Sequence, residues 1–110
     1  MEISFANPKL QKLCESEQAL RKAHGSDGAK KVMRRLSDLR AAATLEHMRN
    51  LPGRIHELTK ERDGQLAIDL ASGRRLILIP TNGWPPEKAE GTNVWTSIDA
   101  VQVLEIADYH

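Results

Sequence analysis

Three side chains that can hold or move a proton stand together at the end of the sequence. Asp108, Tyr109 and His110 follow an apolar, β-like run over residues 101–106, and they supply a carboxylate, a phenol and an imidazole. Such groups take part in acid–base chemistry when partners from elsewhere in the chain lie beside them. The alternative interpretation is a polar tail, which is common at chain ends. The choice depends on what the fold brings to the end of the last strand.

Length and charge limit what the rest of the chain can be. A chain of 110 residues is expected to form a single domain, residues 1–110, with one core and one principal site. Lys and Arg number 16 against 15 Asp and Glu, a net charge of +1, so overall charge alone does not indicate a nucleic-acid binder. The basic residues concentrate between residues 21 and 75, however, which predicts one positive face on the folded domain.

The single cysteine and the absence of long apolar runs indicate a compartment. Cys14 stands alone, so we predict no disulfide and a buried core position for it. The first five residues lack the basic start and apolar stretch of a signal peptide. No apolar run approaches the roughly 20 residues that span a bilayer. We therefore expect a soluble, cytoplasmic protein with no membrane partner.

The first half of the chain has helical patterns. Residues 1–5 are predicted to form a strand, and Asn7 followed by Pro8 is typical of a helix start. Apolar residues continue at helical spacing until the turn-forming residues 25–28, and a clearer amphipathic stripe then runs over residues 29–43. We predict an α-hairpin, followed by one helical turn over residues 44–49.

The second half has strand patterns. We predict strands over residues 54–58, 65–71 and 74–79 and a final strand after an irregular segment, residues 80–97, that contains both tryptophans. Trp84 and Trp95 could pin this segment to the domain or offer stacking surfaces. The predicted class is α+β: an N-terminal strand, an α-hairpin and then a mostly antiparallel sheet of about four strands, with the helices against one face.

Several of these segments together resemble the RelE/ParE superfamily of bacterial type II toxins, and most closely its HigB-like, plasmid maintenance killer branch. The residues that carry the resemblance are the run Arg54-Ile55-His56-Glu57-Leu58, the turn at 60–64, the strand at 65–70, the run Arg74-Arg75-Leu76-Ile77-Leu78 and the ending Leu104-Glu105-Ile106-Ala107-Asp108-Tyr109-His110. Each segment alone is a weak signal. Their shared order within one small domain is considerably more specific.

The resemblance implies a ribosome-dependent mRNA endonuclease. Cleavage without a metal makes the ribose 2′-hydroxyl attack the adjacent phosphorus, so it requires a base, an acid and a cation. Carried over from the family, the catalytic residues are His56, Arg75, Asp108, Tyr109 and His110. His56, Asp108 and His110 serve as base and acid in an order left open, Arg75 as the phosphate clamp, and Tyr109 as a hydrogen-bond donor or stacking surface.

Other basic residues are predicted to contact the RNA backbone, although the basic residues of the first half could equally be the solvated side of an amphipathic helix. The predicted RNA-binding residues are Lys30, Arg34, Arg54, Lys60, Arg62 and Arg74. We predict no metal and no cofactor. The resemblance further implies a cognate helix-turn-helix antitoxin of the HigA-like kind, the ribosome and mRNA as partners, and operator DNA reached indirectly through the antitoxin.

Two other functions stay open at this point. One is a gyrase-inhibiting toxin of the ParE kind, which binds its target and needs no proton-transfer groups. The other is a catalytically weak relative that acts mainly as antitoxin partner and transcriptional co-regulator. The near-neutral charge leaves room for the second function, because binding to an RNA-walled cavity is favoured by basic charge.

Overall fold

A computed structural model describes residues 1–108 of the chain. It contains five strands and two helices of the α type, which confirms the predicted α+β class. The strands are β1 (Glu2–Phe5), β2 (His56–Glu57), β3 (Leu66–Asp69), β4 (Arg74–Pro80) and β5 (Ala100–Asp108), and the helices are α1 (Pro8–Cys14) and α2 (Glu17–Ala41). Short 3₁₀ helices lie at Leu45–Met48, Lys60–Arg62, Pro86–Glu90 and Trp95–Ser97.

The five strands form one sheet in the order β1-β5-β4-β3-β2. The four strands after the helices pair antiparallel, as predicted, and β1 adds a fifth strand parallel to β5. Ser72 and Gly73 join β3 to β4 with φ angles of 59° and 74°. Two consecutive left-handed residues are the signature of a tight hairpin turn whose twist matches the strands. This turn brings Asp69 and Arg75 directly opposite each other.

The helical part has the predicted break and one additional break nearer the N-terminus. Asn7 caps α1 by accepting a hydrogen bond from the Leu10 N–H at 2.8 Å, with Pro8 in the first turn, as predicted. The helix ends at Cys14, however, because Ser16 caps a new helix through the Ala19 N–H at 3.1 Å. The predicted break at residues 25–28 is present but falls on a single residue: Gly25, with φ 75° and ψ 174°, is not helical and divides α2 into two helical segments.

The core lies between the helices and one face of the sheet, as predicted. Its largest fully buried side chains include Leu20, Leu36 and Leu39 from α2 and Leu66, Ile68, Leu76 and Leu78 from the sheet. Burial of such side chains contributes about 1.5–3 kcal/mol each. Within residues 1–108, no helix combines the length and apolarity that crossing a bilayer requires.

The tryptophans pin the segment between β4 and β5. Trp95 is buried and donates its indole N–H to Glu57 Oε2 at 3.1 Å. Trp84 donates its indole N–H to the Gly64 carbonyl at 2.8 Å. Lys88 Nζ lies 2.9 Å from Glu57 Oε1, so three contacts fasten this segment to β2 and to the turn that follows it. The segment therefore holds the edge strand that carries His56.

We predict that Cys14 is unreactive in the folded protein. Its side chain is buried in the core, and desolvation by burial raises the pKa of the thiol to about 11. At pH 8 only about one thiol in a thousand is then ionised, and the thiolate is the reactive form. Ellman's reagent should label the native protein slowly and the protein in guanidinium completely. Rapid labelling of the native protein would show that Cys14 is accessible.

We also predict that His24 makes stability fall in mild acid. Burial of the ring, and secondly the charge of Arg74, lower the pKa of His24 below its usual 6.5, and its Nδ1 has no hydrogen-bond partner among the described residues. As pH falls, the unfolded chain therefore binds a proton at His24 at a higher pH than the folded chain does. The stability that the neutral ring contributes is complete above pH 6.5 and is lost as pH falls through the lower pKa of the folded state.

The measurement is the free energy of urea unfolding at pH 7.5 and pH 5.5. His24→Gln should lose less stability over this interval than the wild type does. The same change at His47, an exposed histidine whose Nδ1 accepts a hydrogen bond from the Ala43 N–H at 3.1 Å, measures separately how much of the loss comes from that imidazole. An equal loss in wild type and His24→Gln would contradict the prediction.

Candidate functional site

The sheet face turned away from the helices carries a row of polar side chains. Opposite residues on neighbouring strands point to the same side, and successive residues alternate. His56 pairs with Ala67, which pairs with Ile77. Asp69, two residues after Ala67, pairs with Arg75. His56, Asp69 and Arg75 therefore share one face, which we call the site face.

A small apolar cluster underlies the site face. Ala67, Ile77 and Ala107 are buried there, and the partly buried Leu58 and Leu104 pack against them. Packed interiors hold their side chains in fixed positions. The strands that carry the polar residues of the site face are therefore packed on both faces, by the main core on the helix side and by this cluster on the site face itself.

Two arginines and one carboxylate form an ion cluster on the site face. Arg54 Nε lies 2.9 Å from Asp69 Oδ2, and Arg75 Nε lies 3.3 Å from Asp69 Oδ1. The Arg54 side chain is 65% exposed and that of Arg75 is 26% exposed. The cluster places two guanidinium groups on one carboxylate, at the surface. Guanidinium groups are well suited to bind phosphate oxygens in pairs.

His56 is held in one orientation by the backbone that precedes its strand. Its Nδ1 lies 2.8 Å from the Arg54 carbonyl oxygen. A carbonyl oxygen only accepts hydrogen bonds, so the neutral ring must carry its proton on Nδ1. The remaining nitrogen, Nε2, then presents a lone pair. This arrangement can accept a proton from a substrate hydroxyl, or return one when the ring is charged.

The backbone before His56 adopts an uncommon conformation. Arg54 has φ 48°, in the left-handed region, and Gly53 before it has φ 110°. A left-handed backbone costs a non-glycine residue on the order of 1 kcal/mol. This conformation also explains why β2 begins only at His56, although the sequence predicted a strand from Arg54. Strain of this kind is concentrated at functional sites.

The comparisons with known proteins agree with this geometry at the level of the fold. No model of a protein family matches the sequence, and neither does any curated protein. Among solved structures, a YoeB-YefM complex from Staphylococcus aureus matches with a TM-score of 0.57 and 12% identity, over 100% of this chain and 97% of that chain. A YoeB/ParE toxin from Agrobacterium tumefaciens matches with a TM-score of 0.58 and 8% identity, over 100% and 99%.

The chain has the YoeB/ParE toxin fold. Within this toxin fold, the structure brings together only some of the predicted site residues. His56, Arg75 and Arg54 share the site face. Arg62 joins them from the turn after β2, since its Nη2 lies 3.4 Å from Glu105 Oε2, and Glu105 pairs with Ile77. Lys60 is exposed in the same turn.

Other predicted residues lie elsewhere. Asp108 pairs with Arg74, and alternation turns both toward the helix side of the sheet, away from Arg75. Lys30 and Arg34 are exposed on α2, in the layer that covers the opposite face. Tyr109 and His110 lie outside the described residues.

Within residues 1–108, no three histidine, cysteine or carboxylate side chains are grouped as a metal ion would need.

The positions of two residues, Asp69 on the site face and Arg35 in the interior, were not predicted from the sequence. Asp69 was not predicted as a site residue, although the alternation of Leu66, Ile68 and Leu70 toward the core places it on the opposite face beside Arg75. Arg35 has the pattern of a solvated residue of α2, yet it is only 5% exposed. Its Nη1 lies 3.4 Å from Asp38 Oδ2, and its stem packs beneath Gly53. No local pattern in α2 separates it from its exposed neighbour Arg34.

Proposed function

We propose that the protein is the toxin of a bacterial type II toxin–antitoxin system and that it cleaves mRNA on the ribosome. One observation carries this proposal: a histidine whose Nδ1 is held by a backbone carbonyl, leaving Nε2 with a lone pair, stands on the same sheet face as two guanidinium groups that share one carboxylate. A proton acceptor beside a phosphate clamp is the minimum that RNA cleavage by the 2′-hydroxyl requires. The toxin fold of the chain agrees with this function.

In the proposed reaction His56 acts as the base. Its Nε2 accepts the proton of the ribose 2′-hydroxyl as the 2′-oxygen attacks the adjacent phosphorus. The bond from phosphorus to the 5′-oxygen then breaks, leaving a 2′,3′-cyclic phosphate on one fragment and a 5′-hydroxyl on the other. Arg75, assisted by Arg54, stabilises the negative charge that develops on the phosphate oxygens.

The proposal gives the acid role to the end of the chain. His110 would protonate the departing 5′-oxygen, and Tyr109 would donate a hydrogen bond or stack on a base, as the family resemblance implies. Asp108 belonged to the same predicted set. Its register with Arg74 directs it to the helix side of β5, so we assign it no proton transfer to the RNA.

Partners follow from the same proposal. The Staphylococcus aureus structure is a complex of YoeB with YefM, and by analogy we propose that this chain also binds an antitoxin. A helix-turn-helix antitoxin of the HigA-like kind would connect the pair to operator DNA, and the proposed compartment is the cytoplasm. Arg54, Lys60 and Arg62 would contact the mRNA backbone. Lys30 and Arg34, in the opposite layer, would contact ribosomal RNA.

A gyrase-binding function is the second candidate, because the matched protein from Agrobacterium tumefaciens is a YoeB/ParE toxin.

The test is to induce wild type and His56→Ala in cells and to map mRNA ends. We expect growth arrest and codon-linked cuts with wild type only. Arrest with intact mRNA and a DNA-damage response would favour gyrase. Absence of arrest would favour a catalytically weak antitoxin partner.

A further inference from the structure

We propose that Asp69 is a positioning residue and that the backbone carbonyl of Arg54 has a positioning role of its own, separate from that of its guanidinium group. Asp69 would orient Arg75, and the Arg54 carbonyl would orient His56. The inference rests on the proposed function for its kinetic consequences. Its structural part, the orientation of two side chains, can be tested whether or not the protein cuts RNA.

The backbone around Arg54 is fixed by packing. A Cβ on Gly53 would lie 2.6 Å from Ile68 Cγ2 and 2.8 Å from Arg35 Nε, so no other residue fits there without displacing the core. The Gly53 carbonyl accepts a hydrogen bond from the Asp69 N–H at 2.7 Å. Because these contacts hold Gly53 against β3, the following residue is held in its left-handed conformation, with φ 48°.

This conformation sets the tautomer of His56. The Arg54 carbonyl oxygen lies 2.8 Å from His56 Nδ1, at a separation of only two residues. An extended backbone at Arg54 would direct its carbonyl toward the side of the strand, as in a regular ladder. The left-handed residue therefore provides an acceptor within hydrogen-bond distance of the imidazole. That acceptor keeps Nε2 unprotonated in the neutral ring.

Asp69 holds the two guanidinium groups together. Its Oδ2 meets Arg54 Nε at 2.9 Å, and its Oδ1 meets Arg75 Nε at 3.3 Å. Without this carboxylate the two guanidinium groups would repel each other, because both are positively charged. A carboxylate that contacts both on their Nε edges fixes the planes of the groups. Orientation of this kind contributes to catalysis more than added charge does.

The first test separates the backbone of Arg54 from its side chain. Asn tolerates the left-handed region, whereas Val, being β-branched, strongly disfavours it. Both Arg54→Asn and Arg54→Val remove the guanidinium group, and the exposure of this side chain means that neither should clash. Nitrogen NMR of the His56 ring reports the tautomer directly. Arg54→Thr repeats the β-branched substitution if Arg54→Val does not fold.

We expect wild type and Arg54→Asn to show the Nδ1–H tautomer at neutral pH, and Arg54→Val to show a mixture. If RNA is cut, Arg54→Val should lower kcat about tenfold relative to Arg54→Asn, since a misoriented base spends less time in the productive form. The same tautomer in both variants would overturn the role assigned to the Arg54 carbonyl. The tautomer can be measured whether or not RNA is cleaved.

The second test concerns Asp69. Asp69→Asn removes one negative charge, so simple electrostatics predicts tighter RNA binding and no loss of turnover. A positioning role predicts that kcat falls about tenfold although RNA binds at least as tightly. Glu105→Gln is the matched control, because it removes a carboxylate that pairs with Arg62 on the same face. We expect its kcat to change less than twofold.

Arginine NMR provides a readout of Asp69 that is independent of activity. The Nε–H signals of Arg54 and Arg75 should be protected from exchange in wild type and in Glu105→Gln, and at least one of them should lose protection in Asp69→Asn, because asparagine keeps only one acceptor oxygen. Unchanged protection, or unchanged kcat, in Asp69→Asn would overturn the positioning role. If no variant or wild type cuts RNA, the proposed function fails, and the NMR results alone decide this inference.

Discussion

Replacing His56 by alanine is expected to lower the rate of RNA cleavage by about 10²- to 10⁴-fold, the usual contribution of a general acid or base. The reason is that Nε2 of the neutral ring carries a lone pair on the same sheet face as the Arg54–Asp69–Arg75 cluster, and the proposed reaction uses it as the base. Its partner nitrogen is already engaged by the Arg54 carbonyl. Binding of RNA should change little, because a neutral imidazole contributes little to contacts with the phosphate backbone.

The measurement is the single-turnover rate on a ribosome-bound mRNA at saturating protein. His47→Ala is the matched control, since it removes an exposed histidine of the short 3₁₀ helix at Leu45–Met48. That variant should cleave at the wild-type rate. Circular dichroism should show the same helix and strand content in all three proteins. A His56→Ala rate within threefold of wild type would remove His56 from the chemistry.

Replacing Arg75 by alanine is expected to lower the cleavage rate by about 10²- to 10³-fold, the cost of losing one donor to developing transition-state charge. Arg75 lies in β4, between two paired strands, and its side chain is mostly buried against Asp69. Removing it also leaves Asp69 with one guanidinium partner fewer. The site becomes more negative, which disfavours the negative charge that develops on the phosphate oxygens.

Arg75→Lys tests whether charge alone is enough. Lysine keeps the charge but lacks the planar fork that binds two oxygens at once, so we expect it to recover less than a tenth of the lost rate. Arg21→Ala is the control for net charge, because Arg21 is an exposed residue of α2 paired with Glu17. Full recovery by Arg75→Lys would mean that position 75 needs only a charge.

The sequence predicted the architecture where local chemistry determines it. Asn7 and Pro8 locate the start of α1, and the pair Ser72 and Gly73 locates the turn between β3 and β4. The sequence did not predict the break between α1 and α2. Ser16 stands among residues at helical spacing, so its role as a cap is seen only in the structure. Gly25 interrupts α2 as the sequence predicted, and the helical segments on both sides of it pack into the same core.

The candidate site was predicted in part for a related reason. His56 and Arg75 were predicted from the family resemblance, which depends on residue type and order, whereas placing Asp69 beside Arg75 required the register between β3 and β4. The register between β4 and β5 places Asp108 on the other face from His56, because one residue along a strand reverses the face. Arg35 and Gly53 act through contacts between α2 and the segment before β2. Contacts between segments distant in the sequence leave no local pattern.

The most direct test of the central claim is the chemistry of the cut ends. Ribosomes programmed with a short mRNA are mixed with the purified protein, using either all-ribose mRNA or mRNA with one 2′-deoxy nucleotide at the cleavage position. We expect fragments with a 2′,3′-cyclic phosphate and a 5′-hydroxyl from the first mRNA, and no cleavage at that position in the second. Cleavage of the 2′-deoxy mRNA at the same position, or fragments with a 5′-phosphate, would contradict the claim that the 2′-hydroxyl is the nucleophile.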